Sequence, residues 1–239
     1  MFFRERVGYM NVESIQALLQ RFSLFKDLTN REIEPIVELA KNRLYRQGTH
    51  IFMQGDPLTN VYFIQQGQIK IYRTDMQGKE QIVNVLREGE MFPHMGFFRK
   101  GSYPAHAEVS EDAILIYIPI HSFEEFLKTN PEICVKIFRI LGDKIVDLQN
   151  RLEEKILHNT YEQIILLLIR LAKSHGRKYD DDQYIFTTQF TNRDLANMIG
   201  SSRETVSRTL TYLKKAKLLS TDPAGNMILN MTKLKDELF

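Results

Sequence analysis

Phe190-Thr191-Asn192-Arg193-Asp194-Leu195-Ala196-Asn197-Met198-Ile199-Gly200-Ser201-Ser202-Arg203-Glu204-Thr205-Val206-Ser207-Arg208 sets two short helical patterns around one glycine. Thr191 can cap a helix with Asp194 three residues on, and Leu195, Ala196 and Ile199 give that helix an inward face. Gly200-Ser201 stops it, because glycine readily takes the left-handed conformation that ends a helix. Ser202 begins a second helix, with Glu204 and Thr205 in its first turn and Val206, Leu210 and Leu213 facing inward. Helix, tight glycine turn, helix is the layout of a helix-turn-helix.

The outward face of the second helix presents Arg203, Glu204, Ser207, Arg208 and Thr211, followed by Lys214, Lys215 and Lys217. Thr191 to Lys217 holds six basic and two acidic residues, a local +4 in a chain whose whole balance is +2. A helix that enters the major groove needs hydrogen-bonding side chains on its N-terminal turns and cations that neutralise phosphates around them. Arginine grips guanine with two bonds, and glutamate accepts from the cytosine amino group. Arg203, Glu204 and Arg208 share one face and are the expected base readers, with Ser202, Ser207, Thr191, Lys214 and Lys215 around them. The alternative is a salt-bridged solvated surface, since Glu204 and Arg208 make a favourable i,i+4 pair. Against it, Asp222-Pro223-Ala224-Gly225-Asn226 follows as a turn between Leu218-Leu219 and Met227-Ile228-Leu229, two short strands placed as the wing of a winged helix.

Upstream, the helix Tyr161 to Lys173 is apolar nearly all round at Ile164–Ile169 and should be buried. Gly176 to Gln183, with Asp180-Asp181-Asp182, reads as a polar loop; without the glycine and distal glutamate of a calcium loop, the Asp triplet is a solvated turn. From Pro131 onward Cys134, Phe138, Leu141, Ile145, Leu148 and Leu152 recur in steps of four and three, a heptad seam among charged neighbours. A narrow stripe of this kind on a helix of about seven turns wants a partner, and a second copy is the simplest one. The competing reading packs the helix against its own barrel. Cys134 is most simply a small buried hydrophobe.

Between about Gly48 and Ser122 the period is two. Val61–Ile64, Gln68–Tyr72, Gln81–Val85 and Ala113–Ile118 are strand-like runs separated by Gly55-Asp56-Pro57, Gln66-Gly67, Met76-Gln77-Gly78 and Gly89-Glu90. Short strands at this spacing with glycine turns predict a closed antiparallel barrel or jelly-roll-like sandwich. Ahead of it, Val12 to Phe22 is amphipathic, and Thr29-x-x-Glu32 is a capping box before Ile33, Ile36 and Val37, in a helix that Pro35 should weaken or bend. The class is α+β, in three parts: 1–130 a sensor β-roll with flanking helices, 131–158 a dimerisation helix and hinge, and 159–239 a winged helix-turn-helix.

A length of 239 residues suits one to two domains, and 43% hydrophobic with 26% charged residues is ordinary globular composition. No apolar run approaches the roughly 20 residues that span a bilayer, and no signal peptide is recognisable, so no membrane partner is expected. One cysteine excludes an internal disulfide, a Cys-x-x-Cys zinc site and a cysteine-bound iron–sulfur cluster. A reducing cytoplasm fits.

The segment from Phe190 to Arg208 closely resembles the DNA-binding signature of the Crp/Fnr family of bacterial transcription regulators, and the likeness covers nearly the whole chain. Val61-Tyr62-Phe63-Ile64-Gln65-Gln66-Gly67 and Gly78-Lys79-Glu80 match the glycine turns of that family's sensor barrel. The resemblance implies a cyclic-nucleotide-binding-type β-roll, a homodimer through the long helix and binding to double-stranded DNA as paired half-sites, with RNA polymerase as partner if the protein is an activator. Arg203, Glu204 and Arg208 fall on its base-reading positions, in a pattern like that of the branch reading TGTGA-type inverted repeats. Overall likeness points faintly to a subgroup tied to arginine or anaerobic metabolism. Pairing along Phe138, Leu141, Ile145, Leu148 and Leu152 would set two recognition helices roughly 34 Å apart, with a hinge near His158-Asn159-Thr160.

Members of the family that bind cyclic AMP hold it with Gly-Glu and a later Arg-Ser. Here Pro93-His94 and Pro104-Ala105 stand at those positions, so a bound phosphate lacks its guanidinium and cyclic AMP is not expected to bind in the usual way. The N-terminal cysteines of the iron–sulfur branch are absent from this sequence. No cofactor is therefore assigned. His94, Met95, Tyr103, Ala105 and His106 are the candidate effector pocket, weighed against barrel histidines and plain core; no third ligand at a metal spacing accompanies the two histidines, and no metal is expected. Two other classes compete. A cupin-type metal enzyme needs a His-x-His that this chain lacks, and no nucleophile elbow or P-loop occurs either, so no enzyme is expected. A nucleotide sensor acting on a protein partner without DNA is opposed by the Arg203-Glu204 pair and the +4 segment.

Overall fold

A computed structural model describes residues 12–98 and 101–238. These fall into two compact units divided between Ile145 and Val146.

The N-terminal unit opens with helices α1 (Val12–Leu19) and α2 (Asn30–Val37). Thr29 and Glu32 close the expected capping box: the Thr29 hydroxyl accepts the Glu32 N–H, and the Glu32 carboxylate accepts the Thr29 N–H at 2.8 Å. Pro35 cannot donate to the turn before it, and α2 ends two residues later. Six strands follow: β1 (Lys41–Tyr45), β2 (His50–Phe52), β3 (Asn60–Thr74), β4 (Glu80–Arg87), β5 (Met91–Phe92) and β6 (His106–Pro119). They form one antiparallel sheet in the order β1-β6-β3-β4, with β2 also on β6 and β5 on β3. Helix α3 (Ile120–Thr129) leads into α4 (Pro131–Leu157), whose proline occupies the first helical position, where its missing N–H has no bond to lose.

Three sequence expectations need correction here. Gln66-Gly67 does not reverse the chain; Val61–Ile64 and Gln68–Tyr72 are one strand of 15 residues, β3, whose pairing with β6 shifts between Ile64 and Ile69. Gly67 has a φ of +91° and lies so close to β6 that a Cβ there would meet the Asp112 carbonyl oxygen and sit 2.6 Å from Ala113 Cα. The glycine permits a bulge, which bends the strand without ending it. The strand region also begins earlier and ends earlier than expected. β1 starts at Lys41 with Lys41, Arg43 and Leu44 exposed, so it shows no apolar alternation, and residues 120–122 are already helix.

Alternation along β3 divides the unit into two cores. Val61 and Phe63 face the helices with Phe22, Phe25, Phe123 and Ile133, while Tyr62 and Ile64 face the roll interior with Phe52, Phe92 and Tyr103. Helix α4 buries Ile133 and Ile137 in the first of these cores, with Cys134, Ile140 and Leu141 packed at its edge. Cys134 is half-buried rather than enclosed, and its thiol donates to the Leu127 carbonyl oxygen at 3.3 Å. The rest of the seam is open: Phe138, Ile145, Leu148 and Leu152 are 71%, 57%, 56% and 61% exposed. The start of the helix thus packs against its own unit, while the apolar stripe beyond it is left exposed.

The C-terminal unit contains the last turns of α4, then α5 (Thr160–His175), β7 (Gly176–Asp180), β8 (Gln183–Phe186), α6 (Asn192–Ile199), α7 (Arg203–Lys215), β9 (Leu219–Thr221), β10 (Met227–Asn230) and α8 (Met231–Asp236). Its core joins Ile164, Leu168 and Ala172 of α5 to Leu195, Val206, Leu210, Leu213 and Leu229. The segment expected as a polar loop, Gly176 to Gln183, is instead strand β7, a tight turn and the start of β8, at the edge of a four-stranded sheet ordered β7-β8-β10-β9. An edge strand with its side chains in solvent carries no apolar signal. Asp182 serves structure: its carboxylate accepts the N–H and hydroxyl of Thr232. The expected hinge at His158-Asn159-Thr160 lies wholly inside this unit, where Asn159 caps α5 in a box with Glu162 and Glu154 of α4 pairs with Arg170 at 2.6 Å. No helix among the described residues is long and apolar enough to cross a membrane.

Candidate nucleic-acid interface and the sensor interior

The turn between α6 and α7 is built from local bonds. Thr191 caps α6: its hydroxyl donates to the Asp194 carboxylate at 2.7 Å and accepts the Asp194 N–H at 3.1 Å. Gly200 takes φ +69° and ends α6, with the Gly200 and Ser201 N–H groups both on the Ala196 carbonyl oxygen. Ser202 caps α7 by accepting the Thr205 N–H at 3.1 Å. The hydroxyls of Thr191 and Ser202 are thus engaged in shaping the helix ends, although both residues remain exposed.

Val206, Thr209, Leu210 and Leu213 bury one face of α7. The other face leaves Arg203, Glu204, Arg208, Thr211, Lys214 and Lys215 exposed and Ser207 half-buried. Among the described residues, the ion pairs do not include Arg203, Glu204 or Arg208. The i,i+4 pair that would tie Glu204 to Arg208 is therefore not closed. Three long polar side chains project from the first turns of a helix whose own N-terminal dipole favours anions, with lysines flanking its last turn.

Sequence reading missed two braces. Lys155, late in α4, donates to the Ile199 carbonyl oxygen at 3.0 Å and so caps the C-terminal end of α6 at the turn. Tyr161 donates to Glu237 at 2.7 Å, and its ring meets Tyr212 of α7 edge-on at 5.7 Å; burial and the Glu237 carboxylate push its hydroxyl pKa up. Separations of 44 and 76 residues leave no local trace of either contact. The wing turn holds itself: Asp222 accepts the Asn226 N–H at 2.8 Å and its side-chain amide at 2.9 Å, which keeps the Asp222 carboxyl below the usual carboxylate range.

In the N-terminal unit the five candidate effector residues do not converge. Tyr103 is 2% exposed and stacks on Phe52 with ring centroids 3.6 Å apart. Its hydroxyl accepts the Asn60 N–H at 3.0 Å and donates to the Asn60 carbonyl oxygen at 3.1 Å. Ala105 is buried. His106 lies against Tyr72, ring to ring at 4.8 Å, and its Nδ1 accepts the Gln54 N–H. Met95 is exposed. His94 lines a pocket on the helix side with Phe63 and Met91, whereas Tyr103 belongs to the roll interior. The interior itself is filled: Tyr62 stacks on Phe92 at 5.2 Å, and Phe52 lies 5.8–5.9 Å from both. No group of three or more potential metal ligands occurs among the described residues.

Burial, and secondarily the Lys144 ammonium, pushes the His94 imidazole down from 6.5 to about 4. The unfolded chain takes up this proton near pH 6.5, the folded chain only near pH 4, so stability falls as pH drops through that window. The expected loss is on the order of 2 kcal/mol after screening at an open pocket. Thermal melts across this range should be flatter for His94→Gln than for the parent; equal slopes would remove the effect.

Residues 42–130 match the cyclic nucleotide-binding domain family and residues 162–237 the Crp-like helix-turn-helix domain family. The chain is 25% identical over 206 residues to the anaerobic regulatory protein of Bacillus subtilis, covering 85% of this chain and 86% of that one. It is 28% identical over 200 residues to the global nitrogen regulator of a Nostoc species, covering 83% and 87%. Its fold is similar to that of FixK2 from Bradyrhizobium japonicum, with a TM-score of 0.71 at 20% identity over 82% of this chain and 96% of that one.

Proposed function

We propose, from the premise that this chain belongs to the Crp/Fnr family of DNA-binding transcription regulators, that it works as a homodimer reading an inverted repeat with Arg203, Glu204 and Arg208 of α7. The observation that carries this reading is the outward face of α7, where these three side chains stand exposed and outside any ion pair among the described residues. Lys214 and Lys215 neutralise phosphate beside them, and the exposed seam of Phe138, Ile145, Leu148 and Leu152 supplies the dimer contact. RNA polymerase is the further partner if the protein activates. Cytoplasmic DNA is the site of action.

Substitution separates base reading from phosphate contact. Arg208→Ala should cost about 1–3 kcal/mol against the preferred operator and relax one base position, while Lys215→Ala should weaken all duplexes alike and flatten the salt slope by about one ion. Fluorescence anisotropy on selected and scrambled duplexes at several salt concentrations reads both. Equal losses on the two duplexes for Arg208→Ala would remove its base-reading role.

The filled roll favours a regulator that does not take cyclic AMP in its interior. Phe52, Tyr62, Phe92 and Tyr103 occupy that space as two stacked pairs, Phe52 on Tyr103 and Tyr62 on Phe92, tilted against each other, and displacing them would forfeit roughly 0.5–1.5 kcal/mol per pair beyond the area they bury. Calorimetric titration with cyclic AMP should show no saturable heat.

A further inference from the structure

On the helix side of the roll, behind the face of β3 that carries Phe63, lies a pocket of about 160 Å³. Its wall is apolar, made by Phe22, Leu24, Phe63, Met91 and Ile140. An apolar cavity of roughly 150 Å³ holds a benzene ring, so a side chain of four or more carbons fits here and a short polar one leaves the wall wet. Beside Ser23 and Gly89, three ionisable groups join the lining: Glu90, His94 and Lys144.

Their pairing is incomplete. Lys144 Nζ stands 3.7 Å from Glu90 Oε1, beyond hydrogen-bond reach, whereas Lys70, Lys136 and Arg170 close on their carboxylates at 2.6–2.9 Å. Glu90 accepts the Arg87 N–H with its other oxygen. Among the described residues, neither the Lys144 ammonium nor the His94 ring is given a hydrogen bond by the protein. The pocket therefore offers a cation with unused donors and a carboxylate with unused acceptor capacity, side by side above an apolar wall. A simple carboxylic acid would face Glu90 and a simple amine would face Lys144. A molecule carrying both charges on one carbon satisfies both.

We propose that this pocket binds a free α-amino acid with a branched aliphatic side chain, its ammonium on Glu90, its carboxylate on Lys144 and the His94 N–H, and its side chain against Phe63, Met91 and Ile140. The site is separate from the filled roll interior. Binding stands by itself; any effect on operator affinity rests on the dimer reading above, since Ile140 and Lys144 adjoin Leu141 and Ile145 of the seam.

Calorimetry on the full chain tests it with L-leucine, 4-methylpentanoate and 3-methylbutylamine, which share one side chain and differ only in charge. Leucine should bind at least about tenfold tighter than either single-charge analogue, and Glu90→Gln and Lys144→Met should each weaken it by about tenfold or more. Both residues are half-exposed, and unchanged melting curves will exclude misfolding. Arg208→Ala should bind leucine as the parent does, so failure of DNA reading and failure of ligand binding are seen separately. Absence of saturable leucine binding, equal affinity for the acid or the amine, or variants that bind like the parent would overturn the proposal.

Discussion

Glutamate placed together at Leu148 and Leu152 should turn the protein into a single subunit and lower its affinity for a two-half-site operator by about 10²–10⁴-fold. Both side chains are more than half exposed on α4, and covering each against a second copy contributes about 1.5–3 kcal/mol. A symmetric interface duplicates every substitution, so four carboxylates would be crowded into one apolar seam. Without the dimer, each recognition helix binds alone and the second binding event loses its high local concentration. Sedimentation and anisotropy on one-half-site and two-half-site duplexes measure both parts. The dimer reading fails if the parent itself sediments as one subunit, or if the variant keeps full operator affinity.

The second large effect falls in the sensor roll. Gly67→Ala should destabilise the N-terminal unit by roughly 3–4 kcal/mol, combining the cost of a left-handed alanine with overpacking against β6. Gly48 is the internal control: it has a similar φ of +81° but nothing within 4 Å of an added Cβ. Gly48→Ala should therefore cost only the backbone part, about 1–2 kcal/mol. At roughly 2–4 °C per kcal/mol for a unit of this size, the two melting temperatures should differ by several degrees. Equal melting temperatures would mean that β6 yields without cost and that the close approach at Gly67 is not tight.

The DNA-binding half was more legible than the sensor half, and the difference has a physical source. Thr191 with Asp194, Gly200 and Ser202 act on neighbours within a few residues, so their pattern survives in one dimension. The same is true of Thr29 with Glu32 and of the heptad from Phe138 to Leu152. A glycine between two strand-like runs, as at Gly67, looks alike whether the chain reverses or bulges; the partner that distinguishes them, Ala113 on β6, lies 46 residues away. Gly176–Asp180 leaves no signal for the opposite reason. An edge strand bathed in solvent on both faces has no buried side to alternate with.

Local chemistry in the sequence by itself determined the helix ends, the glycine turn, the exposed basic face of α7 and the apolar stripe of α4, because caps and amphipathic periods depend on residues close along the chain. Tertiary structure alone decided that β3 continues through Gly67, that the five candidate effector residues part to different sides of the roll, that Lys155 caps the end of α6, and that Glu90, His94 and Lys144 meet beside an apolar wall. Each of these is a contact between distant segments, and only the close packing of strands and helices brings such segments within a few ångströms.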